Sequence, residues 1–558
     1  MDYHAGDDSG KCGVLGPGPA RMENGFSKGG ASMTQGLTRR EFVKGTLIGA
    51  GALAGLGGTS PLVLEAAEPV KRGGVWRYAR NRTVPGMDAH RVSEYFTSIV
   101  ALYDSLLDVV IDPKTYDAKV VPALATEWNW DKSKKQLIFV LRKGVVFHDG
   151  SKFNAAAAKW NLDRVRSHPK SFLAPDLKEI ESVEVVNDNT VAVNLKHPSP
   201  GLLYNLSSAR GWAGMVSKAY QEKHGDDELA RKGCGTGGFR LKSWFVDEKV
   251  VLERFPEYWR QGADGKPLPY LDGMEEHYRP KIDQAVLDLR SGVLDTVHFP
   301  PPREVARIKE NPDLVYLELP PFEYQDVCCG FNDRKGPFTS PELRRACCYA
   351  IDRARFVKIV GFGVSRPHQY PYIREGLPGW SPKDWPDYTY NPQKAKDLAK
   401  AAYPTGVTIN VLVIAREPDT TYGELLKAMW EAVGIKTELK TMERLEWINN
   451  MKKDNFEIGF WQASTFPGSF NRVALATKYP SNWANVSNPK VDSLLDEHSK
   501  TLDEKQGHEL MKEALKIIYD QALLTSATAL THAVGTHKKV KGLRCHWRTV
   551  AATEVWMA

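Results

Sequence analysis

Beyond about Gly73 the chain switches repeatedly between two hydrophobic periods, and this alternation bounds the fold more tightly than any other feature. Leu137, Phe139 and Leu141 recur at every second residue along Gln136–Lys143, as a strand with one buried face requires. The following AAAAKWNLDRVR reads as a helix with Asn154 as its N-cap. GGVWRYARN reads as an opening strand, and Ile99, Val100, Leu102, Tyr103, Leu106 and Leu107 supply the apolar stripe of a helix. Short strands trading places with helical patterns of about ten to fifteen residues predict an α/β fold. Roughly 490 of the 558 residues remain once an N-terminal leader is set aside, too many for one core and typical of two or three lobes.

The leader has its own signature. Thr38-Arg39-Arg40-Glu41-Phe42-Val43-Lys44 precedes the run GTLIGAGALAGLGGTSPLVL, in which six of twenty residues are glycine. Glycine at that density makes a poor helix and a poor membrane span, so the run reads as a targeting segment. The pair Arg39 and Arg40 resembles a twin-arginine export signal, which implies passage through the twin-arginine translocase and work in the periplasm. Residues 1–67 are the expected leader, with cleavage near Ala66-Ala67, and Met33 opens a more ordinary signal than Met1 does. No cysteine stands directly after the run, which favours a freely soluble protein over a lipid-anchored one. After the leader no apolar stretch reaches about 18 residues, so no membrane span is expected there.

The formal net charge of +7 belongs to the remainder, because the leader holds six basic and six acidic residues. The basic residues are interleaved with acids and form no run of the kind nucleic acid requires. Of seven cysteines, Cys12 leaves with the leader. The others form no CxxC pair and have no histidine or carboxylate at zinc-ligand spacing, so no metal or cofactor is expected. Along Tyr324–Phe331, Val327, Cys329 and Phe331 share a strand face; after Ser340, Leu343, Ala346, Cys347, Ala350 and Ile351 share a helix face. Buried, inert thiols suit that pattern, and an export compartment leaves open a bridge between the vicinal pairs Cys328-Cys329 and Cys347-Cys348.

Four ordered blocks carry a family resemblance. They are LATEWNWDKSKKQLIFVLRKGVVFHDGSKFNAAAAKWNLDRV; the Gly235-Thr236-Gly237-Gly238-Phe239 segment with VVLERFPEYW and PYLDGMEEHYRPKIDQAVLDLRSGVLDTV; FNDRKGPFTSPELRRACCYAIDRARFVKIVGFG; and SNPKVDSLLDE. Together they resemble the peptide/nickel class of extracytoplasmic solute-binding proteins, the receptors of ABC importers. The resemblance implies a two-lobe periplasmic-binding-protein fold with mixed sheets and an extra subdomain on lobe one. Lobe one would combine residues 68–104, 233–321 and 525–558, with 105–232 as the inserted subdomain, and lobe two would span 322–524. It further implies a monomer that closes about a small-molecule ligand and docks on the permease subunits of its importer. A periplasmic sensor or chaperone would share this fold, and so would a hydrolase on the same scaffold.

The catalytic motifs read as structure. His148 and Asp149 are neighbours within VVFHDG, and His-Asp-Gly suits a turn in which Asp149 accepts backbone hydrogen bonds and Gly150 takes a positive φ. GTGGF lacks the Lys-Ser/Thr of a phosphate loop and leads into a strand, so it reads as a flexible lobe crossover. No G-x-S-x-G elbow, HExxH or kinase set is present, and no enzymatic activity is expected.

The expected pocket departs from the family. Peptide-binding members carry an aspartate four residues before a proline in the segment that begins Gly-Trp, and it pairs with the ligand's α-ammonium. Here Gly459-Phe460-Trp461-Gln462-Ala463-Ser464-Thr465-Phe466-Pro467 puts Ala463 at that place. Losing the counter-ion of a buried ammonium costs on the order of 3–5 kcal/mol. By the resemblance, Ser93, Glu94, Tyr95 and Phe96 face the cleft from lobe one, and Glu94 is the acid placed to substitute. Phe460, Trp461, Gln462, Ser464 and Trp483 would face it from lobe two, a set suited to a sugar or a neutral or anionic solute. Arg374 and Arg472 are the candidate partners of a ligand carboxylate; surface pairing of either arginine, and core packing of Trp461 and Trp483, are the alternatives.

Overall fold

The computed structural model of the chain describes residues 69–558 apart from 93–95, 112–117, 209–212, 319–324, 465–473 and positions 478, 480, 481, 484, 531, 547 and 548. The export pair Arg39 and Arg40, and the candidates Ser93, Glu94, Tyr95 and Arg472, lie outside the described residues.

The chain opens with β1 (Val75–Arg80), which is covered on both sides: Trp76 and Tyr78 enter one apolar core and Ala79 the other. A hairpin follows, β2 (Leu107–Ile111) and β3 (Ala118–Pro122), and then an antiparallel sheet of β4 (Ala125–Trp130), β5 (Gln136–Leu141), β6 (Ile180–Asn187) and β7 (Thr190–Leu195) in the order β4-β5-β7-β6. As the alternation predicts, Leu137, Phe139 and Leu141 of β5 are buried on one face. The helix Ala155–Ser167 starts at Asn154, whose side chain accepts from the Ala157 N–H, a cap of about 1 kcal/mol. This sheet shares one continuous apolar cluster with Trp76 and Met274, so the insertion packs on lobe one as a single core.

β8 (Phe239–Phe245), β9 (Lys249–Arg254), β10 (Gly273–Tyr278), β11 (Thr296–His298) and β12 (Leu314–Glu318) return to lobe one. Lobe two is built from β13 (Gln325–Phe331), β14 (Arg366–Pro367), β15 (Val407–Ile414), β16 (Ile435–Met442), β17 (Ile458–Ser464) and β18 (Leu524–Leu530), and β19 (Ala533–His537) closes lobe one. The two large sheets run β12-β19-β11-β1-β10-β9-β8 and β14-β18-β13-β17-β15-β16, each mixing parallel and antiparallel pairs. The helix Pro341–Ala350 is capped by Ser340 and buries Leu343, Ala346, Cys347 and Ala350 against Val327, Cys329 and Phe331 of lobe two. Cys234, Cys328, Cys329, Cys347 and Cys348 are buried free thiols, so the vicinal pairs are not bridged.

The lobes join at two adjacent strands. Glu318 of β12 opposes Ala533 of β19, and Gln325 of β13 opposes Leu530 of β18, so both crossovers leave the sheets side by side. β18 therefore belongs to lobe two, and the second crossover follows Leu530 rather than Leu524.

Two other expectations change. The stripe from Ile99 to Leu107 is not one helix: the helix is Thr97–Leu102, and Leu107 begins β2. The break lets the buried Asp104 carboxylate accept from Tyr258 at 3.0 Å, Trp259 at 2.9 Å and Thr236 at 3.2 Å. Nor is GTGGF a crossover between lobes. Gly237 N donates to Leu102 O at 3.0 Å, and a Cβ on Gly235 or Gly237 would stand 2.2 Å from Leu102 O or 2.3 Å from Ala101 O. Close backbone approach, not flexibility, is what these glycines supply.

Candidate functional site

The strand ends on the crossover side of both sheets form the candidate site. In lobe two, β17 ends where β13 begins, with Ser464 opposite Gln325, and β15 runs parallel to β17 so that its carboxyl end shares that edge. Ligands of open α/β sheets sit outside such carboxyl ends.

Alternation along β17 separates the predicted residues. Phe460 is fully buried in the lobe-two core, its ring edge-on to Tyr422 at 6.1 Å, so its role there is packing. Trp461 points into the opposite cluster, where its indole Nε1–H donates to Tyr372 Oη at 3.0 Å. Gln462 is half-buried at the edge, and its Nε2 donates to Asp419 Oδ1 at 2.8 Å. Asp419 opens the helix Asp419–Glu431 and is buried; its second oxygen accepts from Arg416, whose side chain remains 41% exposed. Sequence reasoning missed Arg416 and Asp419, for which the only signal was their position just after an apolar strand. Ser464 closes β17 at the same edge. Trp483 is half-buried and lies 5.7 Å from Trp447, tilted by 50°.

Arg374 is not presented to a ligand. It is buried and ion-paired to Asp326 of β13, beside His368, and Asp326 also accepts from Tyr372 N at 3.2 Å. Burial pushes the Asp326 carboxyl up to about 6, while Arg374 pulls the other way. Asp326 is the cross-strand partner of Ala463.

From lobe one, the Arg80 guanidinium stacks over Phe96 at 4.4 Å and stands 3.7 Å from Glu276, which accepts from Ser98 N at 2.7 Å. His298, Phe299 and His532 line the crossover itself, with ring centroids 3.6 and 4.1 Å apart. Among the described residues no group of three His, Cys, Asp or Glu side chains is arranged to hold a metal ion.

Residues 119–485 match the middle region of the bacterial extracellular solute-binding proteins, family 5. The chain belongs to that family. A glutathione-binding protein of Pectobacterium atrosepticum is 30% identical over 427 residues, 73% of this chain and 79% of that one. A dipeptide-binding protein of Escherichia coli K12 is 27% identical over 484 residues, covering 80% and 87%. The periplasmic binding protein DppA of Helicobacter pylori, solved with the peptide STSA, superposes with a TM-score of 0.72 at 24% identity, over 87% of this chain and 98% of that one. This family 5 protein is therefore an extracellular solute-binding receptor, on the two-lobe fold expected from its sequence.

Proposed function

We propose that this receptor captures a neutral or anionic organic solute rather than a free-amino peptide, and closes about it by rotation at the paired crossovers. The observation that carries this reading is the state of the two buried carboxylates at the lobe-two edge. Asp326 is bound by Arg374, and Asp419 by Arg416 and Gln462, so each already has its cationic partner. Ala463 adds no charge, whereas the half-exposed Arg416 and the Gln462 amide offer donors to an oxygen-rich ligand. Trp461 supports the wall of the site through Tyr372; the family resemblance assigns Trp483, Ser464 and Arg472 to the lobe-two side of the cleft and Ser93, Glu94 and Tyr95 to the side of lobe one. The receptor works as a monomer without catalysis, and reaches the periplasm through the twin-arginine translocase by way of Arg39 and Arg40.

Native mass spectrometry of freshly purified protein identifies the retained solute, and calorimetry against dipeptides, tripeptides, neutral sugars and sugar acids tests its class. Micromolar binding of a sugar or sugar acid is expected; tight dipeptide binding overturns the reading and points to Glu94 as the ammonium partner. Replacing Arg39 and Arg40 together by Lys is expected to leave precursor in the cytoplasm, and normal periplasmic yield would count against that export route.

A further inference from the structure

The lobes meet at a third place, far along the chain from either crossover. Lys178, just after the short turn Ala174–Leu177 of the inserted subdomain, donates from Nζ to Tyr479 Oη of lobe two at 2.5 Å, across 301 residues of sequence. The same ammonium stands 4.6 Å from the centroid of the Tyr479 ring. Val109 of β2 is 6% exposed and, among the described residues, is the one member of its buried cluster that lobe two does not supply. Ile111, Ala118, Val120 and Tyr204 pack against the same cluster, and Tyr204 Oη donates to Ala118 O at 2.9 Å, tying the hairpin to its own subdomain.

These contacts include no residue proposed to touch the solute, although Val109 joins the cluster that also holds Trp461 and Tyr372. They nevertheless have to separate if the lobes part, because one half of each belongs to the insertion and the other to lobe two. We infer that the inserted subdomain is a clasp: Lys178 on Tyr479 and Val109 in the lobe-two cluster raise the closed fraction of the receptor before any solute arrives. An exposed cation–π contact changes a two-state ratio by about two- to fivefold, and burial of a valine by about tenfold or more. Apparent affinity scales with the competent fraction, so the clasp tunes capture and release without touching the ligand. The inference rests on hinge closure.

Spin labels on Val186→Cys and Leu445→Cys, at positions 58% and 71% exposed in the insertion and in lobe two, report the separation by pulsed electron resonance. The native thiols described here are buried and are not expected to label. The protein is measured as isolated and again after unfolding in guanidinium and refolding, which strips retained solute. In the stripped protein, Lys178→Ala is expected to lower the closed-to-open ratio about threefold, Tyr479→Phe by less, and Val109→Ala about tenfold. Lys178 is a surface residue, so its variant folds even if Val109→Ala does not. If the stripped wild type holds two separations that no variant shifts, the clasp is wrong while hinge closure stands. A single separation common to isolated and stripped protein overturns both.

Discussion

Asp326 and Ala463 face each other across the β13–β17 ladder, and the carboxylate of the first is already bound to Arg374. The ladder thus holds a negative charge next to the position where peptide-binding relatives are expected to carry one, but turns it inward. The charge stabilises the junction of β13 with the Tyr372 loop instead of greeting a ligand.

Removing Arg374 should expose the cost of that arrangement. Arg374→Met leaves Asp326 buried and unpaired and is expected to destabilise the protein by about 3–5 kcal/mol. Adding Asp326→Asn should recover a large part of the loss. Urea unfolding of the two single variants and the double variant measures both effects, and a loss below about 1 kcal/mol would mean that the pair is solvated.

Ligand class can be turned by one residue. Ala463→Asp is expected to bring in dipeptide binding that the wild type lacks at micromolar concentration, read by calorimetry. Two carboxylates would then oppose each other across the ladder, so a lower melting temperature should accompany the change. Peptide affinity unchanged from the wild type would separate this position from the site.

Gly237→Ala distinguishes packing from flexibility. A Cβ there meets backbone atoms at 2.3 to 2.7 Å, so the variant is expected to lose about 3 kcal/mol or fail to fold. A glycine serving only as a hinge would tolerate alanine with little change in the denaturation midpoint.

Acid should weaken the fold through two buried imidazoles. His148 donates from Nε2 to Gly237 O and accepts at Nδ1 from Gly235 N; His90 donates to Gly214 O and accepts from Arg164. Both are neutral, and burial pushes each down to about 4. The unfolded chain then binds more protons between about pH 6.5 and 4, so this stability is complete above pH 6.5 and is lost as pH falls through 4. Replacing His148 by Gln should remove about one proton from the pH dependence of unfolding over that window.

Local patterns were enough for much of the architecture. The face of β5, the Asn154 cap, the apolar side of Pro341–Ala350 and the His148-Asp149-Gly150 turn, with Gly150 at φ +81°, all depend on residues within a few positions of one another. Four ordered blocks were enough for the family. The site was less legible, because its residues acquire their roles from partners distant in sequence. Arg374 looked available until Asp326, 48 residues earlier, was brought against it, and Asp104 interrupted a helical stripe to reach Thr236, 132 residues on. β18 reads equally well as part of either lobe until its ladder with β13 forms. Periodicity records which face of an element is buried. Which buried charge meets which, and which backbone must pass within van der Waals contact of another, is decided only when the elements pack, because desolvation makes each such charge and each such gap conditional on its neighbour.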